Sequence, residues 1–361
     1  MVRTGLTATE GATHDTGLDD DRCTRRSFLA QGAIASAAAV LPIGALVDAA
    51  RPASAPGRQT ALSTGDAAIL RFLAAAELLE TDAWQQYNEL ANGNPRYMRA
   101  LQNIDADMPP YVSQNTVDEF THADFLNAFL VSQGVQPVNL DAFRTLPSSP
   151  ATGAEQIGRL TNLMHLNVDT SWYTRYRSSG NPDFGDTFPQ IVTIVDRTGI
   201  PLHDHYNNNQ IQAIANTAAF HFAMIEQGGT SLYDVMSLKT SELLVLRIVT
   251  SIGGTEVAHF EIWNDKAGDA PAVNSGDGLV FPDLSANTQF PNNQVMPKPC
   301  KFISTGLPLC SVMRPTSFPM VSATAAVQFL TATGLFVGQS NAFFNTMMGL
   351  AAAADAANRV C

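Results

Sequence analysis

Apolar residues return at helical spacing in several long stretches of this chain, and acids sit on their apolar sides. Leu70, Leu73, Glu77, Trp84 and Tyr87 share one face, which predicts a helix N-capped by Asp66 and stopped by Asn92-Gly93-Asn94-Pro95. A second helix is predicted from Pro109-Pro110 to just before Gly134, carrying Glu119, His122, Phe125, Phe129 and Leu130. A third runs over Asn208 to Met236 with Ala218, Phe222, Glu226 and Tyr233 on one face. A fourth spans Ser241 to Trp263, where Leu243, Leu246, Ile248 and Val249 precede Glu256 and His259. Residues 135–207 separate the second and third helices, too long for a tight turn. Within them 154–178, containing His165, Trp172 and Tyr173, predicts an extra helix, and Ile191 to Val195 a strand or covering segment.

This order predicts an all-α fold: a four-helix bundle with one long crossover between core helices 2 and 3. Beyond residue 265 the chain turns Pro-, Asn- and Gly-rich, then becomes helical again over 316–357 with no charge from Pro315 to Ala354. Gln328, Thr331, Thr333, Gln339, Ser340, Asn341 and Asn345 make this stretch too polar for a lipid-facing span, so an extra C-terminal helical segment packed on the bundle is expected.

The first 55 residues stand apart. Thr24-Arg25-Arg26-Ser27-Phe28-Leu29, an alanine-rich apolar run to about Val47 and the small-residue site Ala53-Ser54-Ala55 read as a cleaved export signal, with an uncleaved anchor as the alternative. Three segments follow: the signal at 1–55, the bundle at 56–265 with its crossover insertion at 135–207, and the extension at 266–361. Without the signal, 16 basic and 27 acidic side chains leave a net charge of −11, against nucleic-acid binding. Of the cysteines, Cys23 lies in the leader and Cys300, Cys310 and Cys361 remain. An oxidising destination allows one disulfide, Cys300 with Cys310 preferred over a pair involving Cys361. No CxxC occurs, which excludes a rubredoxin-like metal knot and a thiol redox motif.

The chemistry lies in two Glu-x-x-His pairs, Glu119/His122 and Glu256/His259, each preceded by a lone glutamate, Glu77 and Glu226. Residues three apart share a helical face, so each pair aims a carboxylate and an imidazole at one spot. Four carboxylates and two imidazoles form the ligand set of a di-iron or di-manganese site in a helical bundle. Ten glutamates and seven histidines would give roughly 0.2 such pairs by chance, so two are unusual. Glu80, one turn past Glu77, replaces or joins it. Glu119 alternatively closes a capping box with Thr116, which leaves His122 unexplained. Trp84 and Tyr233 each stand seven residues after a lone glutamate; Tyr233 either orients a ligand carboxylate or fills the core. Gly228-Gly229 beside Glu226 suggests close packing or ligand access, and Gly253-Gly254 beside Glu256 a local bulge or a plain kink. His221 reads as a core or supporting histidine, Glu261 as exposed, and His203-Asp204-His205 as an exposed loop.

On these residues the chain resembles the ferritin-like superfamily, most closely exported ferritin-like domain proteins related to desiccation-associated proteins. Glu77-Leu78-Leu79-Glu80, Glu119-Phe120-Thr121-His122, Ala223-Met224-Ile225-Glu226 and Glu256-Val257-Ala258-His259 match the family's order of lone glutamate and Glu-x-x-His over approximately residues 66–264. The resemblance implies two metal ions, iron favoured and manganese the alternative, with Glu119 and Glu256 bridging and each histidine holding one metal. The arginine pair resembles the twin-arginine signature, which implies the twin-arginine export machinery as partner, a periplasmic, envelope or secreted destination, no stable membrane anchor after cleavage, and metal loading before export. An oxygen- or peroxide-dependent oxidoreductase or iron oxidase is the leading expectation, with electrons from an external donor. A non-enzymatic envelope or extracellular stress protein and a metal-sequestering protein are the alternatives. The long crossover and C-terminal extension depart from a ferritin storage cage.

Overall fold

The computed structural model describes residues 62–315 and 321–360; the leader, its arginine pair and Cys361 lie outside them. Helix makes up 54% and strand 5%, which places the chain in the all-α class. Helix α1 spans Thr64–Gly93. Its N-cap is Ser63, whose Oγ accepts from Asp66 N, and not Asp66 as the sequence suggested. The Asp66 carboxylate is buried and accepts instead from Ser241 N and Glu242 N, in a turn distant in sequence. Asn94 ends α1 and caps the short α2, Pro95–Gln102.

Helix α3, Met108–Ser132, begins with the two prolines in its first turn, where missing N–H groups cost nothing. Thr116 and Glu119 lie in its interior, so the capping-box reading of Glu119 is set aside. The crossover then departs from expectation. Residues 154–165 are not helical; β1, Leu166–Val168, pairs antiparallel with β2, Ile194–Arg197, and Ser171–Tyr176 alone forms an α-helix, α4. The reason is tertiary. One Asp82 carboxylate oxygen on α1 accepts from Leu160 N, Thr161 N and Thr161 Oγ1, so a buried side chain takes donors that a helix would have turned inward.

Helix α5, Asn208–Ser237, opens on an Asn207/Gln210 capping box and passes through Gly228-Gly229 unbroken. It is buried on nearly all sides, polar side chains such as Gln212, Asn216, His221 and Glu226 included. Helix α6, Leu243–Gly268, follows the turn held by Asp66 and extends five residues past Trp263. Its buried face is Val245, Ile248, Val249 and Ile252, while Leu243 is exposed. Among the described residues α6 alone is long and apolar enough to cross a membrane, yet it buries Glu256 and His259 against its neighbours.

Helix α1 packs along α3, and α5 along α6. The two pairs meet through aromatic rings: Trp84 of α1 lies 5.3 Å from Trp263 of α6 and 4.6 Å from Phe222 of α5, centroid to centroid. The hairpin of β3, Val273–Asn274, and β4, Val280–Phe281, begins an irregular segment. Helices α7, Ala323–Ala332, and α8, Asn341–Asp355, close the described chain, with α8 against α1. Asp355 at the end of α8 accepts from Ala323 N and Thr324 N and so caps α7. The irregular segments are fastened by buried arginines. Arg314 donates to the carbonyls of Arg175, Ser178, Gly180 and Lys298, and Arg177 to those of Tyr173, Pro291 and Asn292.

The expected Cys300–Cys310 disulfide is not formed. The two residues exchange backbone hydrogen bonds across an antiparallel bridge, but both are free thiols. Buried Cys300 accepts from Asn181 Nδ2, whereas exposed Cys310 is directed to the Ser311 carbonyl.

Candidate metal centre

Glu77 comes from α1, Glu119 and His122 from α3, Glu226 from α5, and Glu256 and His259 from α6. All six side chains are buried. One ligand atom from each of Glu77, Glu119, His122 and Glu256 lies within 4.8 Å of the others, and the same holds for Glu119, Glu226, Glu256 and His259. Glu119 and Glu256 belong to both groups. Helical periodicity causes the convergence, since each Glu-x-x-His pair spans less than one turn of an inward face.

The polar bookkeeping is incomplete within the protein. His122 Nδ1 stands 3.1 Å from Glu119 Oε2, 3.4 Å from Glu256 Oε1 and 3.5 Å from Glu77 Oε2. His259 Nδ1 stands 2.9 Å from Glu119 Oε1 and 3.2 Å from Glu226 Oε2. One ring N–H carries one proton and serves one oxygen well. Glu77 Oε2 and both Glu256 oxygens are left without a hydrogen-bond partner, a costly state for a buried acid. Metal cations fit this set: carboxylate and imidazole side chains are metal donors, and a cation in each group would give the orphaned oxygens a partner.

Electrostatics agree. Burial pushes Glu77 up to about 7, although the His122 imidazole beside it pulls the other way. Burial, then the neighbouring Glu119 charge, raises Glu256 well above the usual carboxylate range. Burial also opposes charge on the imidazoles, but the carboxylates outweigh it, holding His122 at about 12 and raising His259 as well. Without a cation the centre retains protons in its place.

Supporting groups surround the six. Tyr233 Oη donates to Glu77 Oε1, which places this tyrosine at the centre. Asn115 Nδ2 donates to Glu119 Oε1 at 2.7 Å and to Glu226 Oε1 at 2.9 Å, while its own Oδ1 accepts from Trp263 Nε1. Half-exposed Asp118 holds His259 Nε2 at 3.1 Å. A metal-ligating histidine is commonly fixed this way. Sequence reading missed Asn115 and Asp118, although Asn115 lies one turn before Glu119 on the same face.

The remaining candidates separate. Glu80 belongs to neither group; its Oε1 is buried without a partner, and the residue borders an adjoining cavity. Burial, then the Glu256 charge, raises its carboxyl. Trp84 packs in the aromatic core and makes no hydrogen bond to a ligand. His221 Nδ1 pairs with Tyr87 Oη at 2.8 Å, and burial pushes it down to about 3, so it stays neutral. Glu261 is half-buried, not exposed, and burial pushes it up to about 7. His203, Asp204 and His205 are exposed, as expected. At Gly229 an added Cβ would fall 2.2 Å from Glu256 Oε2, so the glycine is needed for close approach to a ligand. No protein-family model, curated protein or solved structure matches the chain.

Proposed function

We propose that the chain is an exported, ferritin-like four-helix-bundle protein whose core holds two iron or manganese ions and which carries out oxygen- or peroxide-dependent oxidation. One observation carries this reading: Glu119 and Glu256 each belong to both four-residue groups, as carboxylates shared by a metal pair would. Glu77 and His122 would complete one position, Glu226 and His259 the other. Bound there, iron or manganese would supply redox chemistry toward dioxygen or peroxide.

The chain's own residues set the conditions. Tyr233 orients Glu77, Asp118 fixes the tautomer of His259, and Asn115 ties Glu119 to Glu226. Trp84, Phe222 and Trp263 keep bulk water from one side. With no CxxC motif, electrons come from an external donor. The arginine pair at Arg25-Arg26 supports export of the folded, loaded protein.

Elemental analysis of the protein beside a His122→Ala/His259→Ala variant tests the reading. About two metals per chain in the wild type, lost in the variant, with oxygen or peroxide consumed, is the expected result. Metals bound without consumption of either oxidant would leave sequestration. A folded wild type with no stoichiometric metal after anaerobic reconstitution would remove the metal reading altogether.

A further inference from the structure

We infer that the cavity between α1, α5 and α7 is a ligand chamber serving the metal centre, and that it takes an uncharged, mainly apolar small molecule bearing at most one hydroxyl or carbonyl group. The inference rests on the metal reading for its role and on the cavity alone for its ligand class.

The cavity has a volume of about 120 Å³ and is open at its mouth. An apolar cavity of about 150 Å³ holds benzene, so this one takes the apolar part of a small ligand whose remainder lies in the open mouth. Leu79 and Ala83 of α1, Ile225 and Leu232 of α5, and Ala326 and Phe329 of α7 give it an apolar lining. Among the lining side chains Glu80 alone is ionisable, and Ser231 adds a hydroxyl. Glu80 Oε1 is itself buried and has no hydrogen-bond partner.

The chamber adjoins the centre through Gly229. This residue lines the cavity and also lies against the Glu256 carboxylate, with no side chain between them. Glu80 stands one helical turn from Glu77 on α1. An anionic ligand would meet Glu80 and the carboxylates beyond it. Metals at the centre would offset those carboxylates and remove the attraction for an organic cation. Neutral, apolar molecules remain.

The test is titration of the full chain with N-phenyl-1-naphthylamine, an uncharged probe fluorescent in apolar surroundings, in metal-free and metal-loaded samples whose metal content is measured alongside. Saturable binding is expected in both. Decanol should displace the probe at least about tenfold more effectively than decanoate. Ala326→Trp, on α7 and away from the ligands, should weaken binding by about tenfold or more with metal content unchanged. Phe329→Ala, which enlarges the chamber, should keep binding and shift competition toward longer alcohols. Unsaturable binding, equal displacement by decanoate, or wild-type affinity in a folded Ala326→Trp protein would overturn the chamber. Metal present with no probe bound rejects the chamber alone; probe bound in a chain that takes no metal rejects the metal reading and with it the chamber's role.

Discussion

Single atoms decide whether the centre can form. Gly229→Ala places a methyl group against Glu256 Oε2, which must move. We expect loss of metal occupancy and a destabilisation of about 1–3 kcal/mol, read by elemental analysis and chemical denaturation. Tyr233→Phe removes the hydrogen bond to Glu77 and little volume. It should lower metal affinity by about tenfold in a competition titration and, by leaving Glu77 Oε1 buried without its partner, destabilise the metal-free protein by about 1–3 kcal/mol. Unchanged affinity would make Tyr233 a packing residue. The convergence of these six side chains was legible in the sequence because acids on an apolar stripe need a partner and two Glu-x-x-His pairs repeat the pattern. Asn115 and Asp118 were not, because a polar residue next to a ligand looks like any solvated helical position until the neighbouring helix is in place. Glu261 misled in the same way.

Helices were legible where one apolar face persists over many turns, as in α1, α3, α5 and α6. Their ends were less so, because the side chains that close them come from elsewhere. Asp66, placed like a local N-cap, holds the turn into α6, and Asp355 caps α7 from the end of α8. Asp66→Ala and Asp355→Ala should each cost about 1–2 kcal/mol in urea denaturation. Only Asp355→Ala should disturb the probe affinity of the chamber, since α7 forms its roof. The stretch at 154–165 was misread as helix because its apolar spacing suits one; the Asp82 carboxylate, 78 residues from Leu160 in sequence, offers its backbone a different partner. Likewise, nothing in the spacing of Cys300 and Cys310 discloses that one sulfur turns inward and the other out.

Across the whole molecule the centre dictates how stability follows pH. In the metal-free protein Glu77 rises from 4.5 to about 7, Glu80 and Glu256 rise well above 4.5, and His122 rises from 6.5 to about 12. A group with a raised folded pKa contributes stability below its unfolded value and loses it as pH climbs through the folded value. Chelated protein should therefore melt at a lower temperature at pH 8 than at pH 5, and added metal should cancel or reverse that slope. A chelated protein more stable at pH 8 would contradict this account. The outer segments obey a different rule. Arg314 and Arg177 grip peptide carbonyls, which do not take up protons in the range where carboxylates do. Mild acid would thus empty the interior while the wrapping stays tied, and a stripped molecule returned to neutrality would be a vessel ready for refilling, with no fold to rebuild.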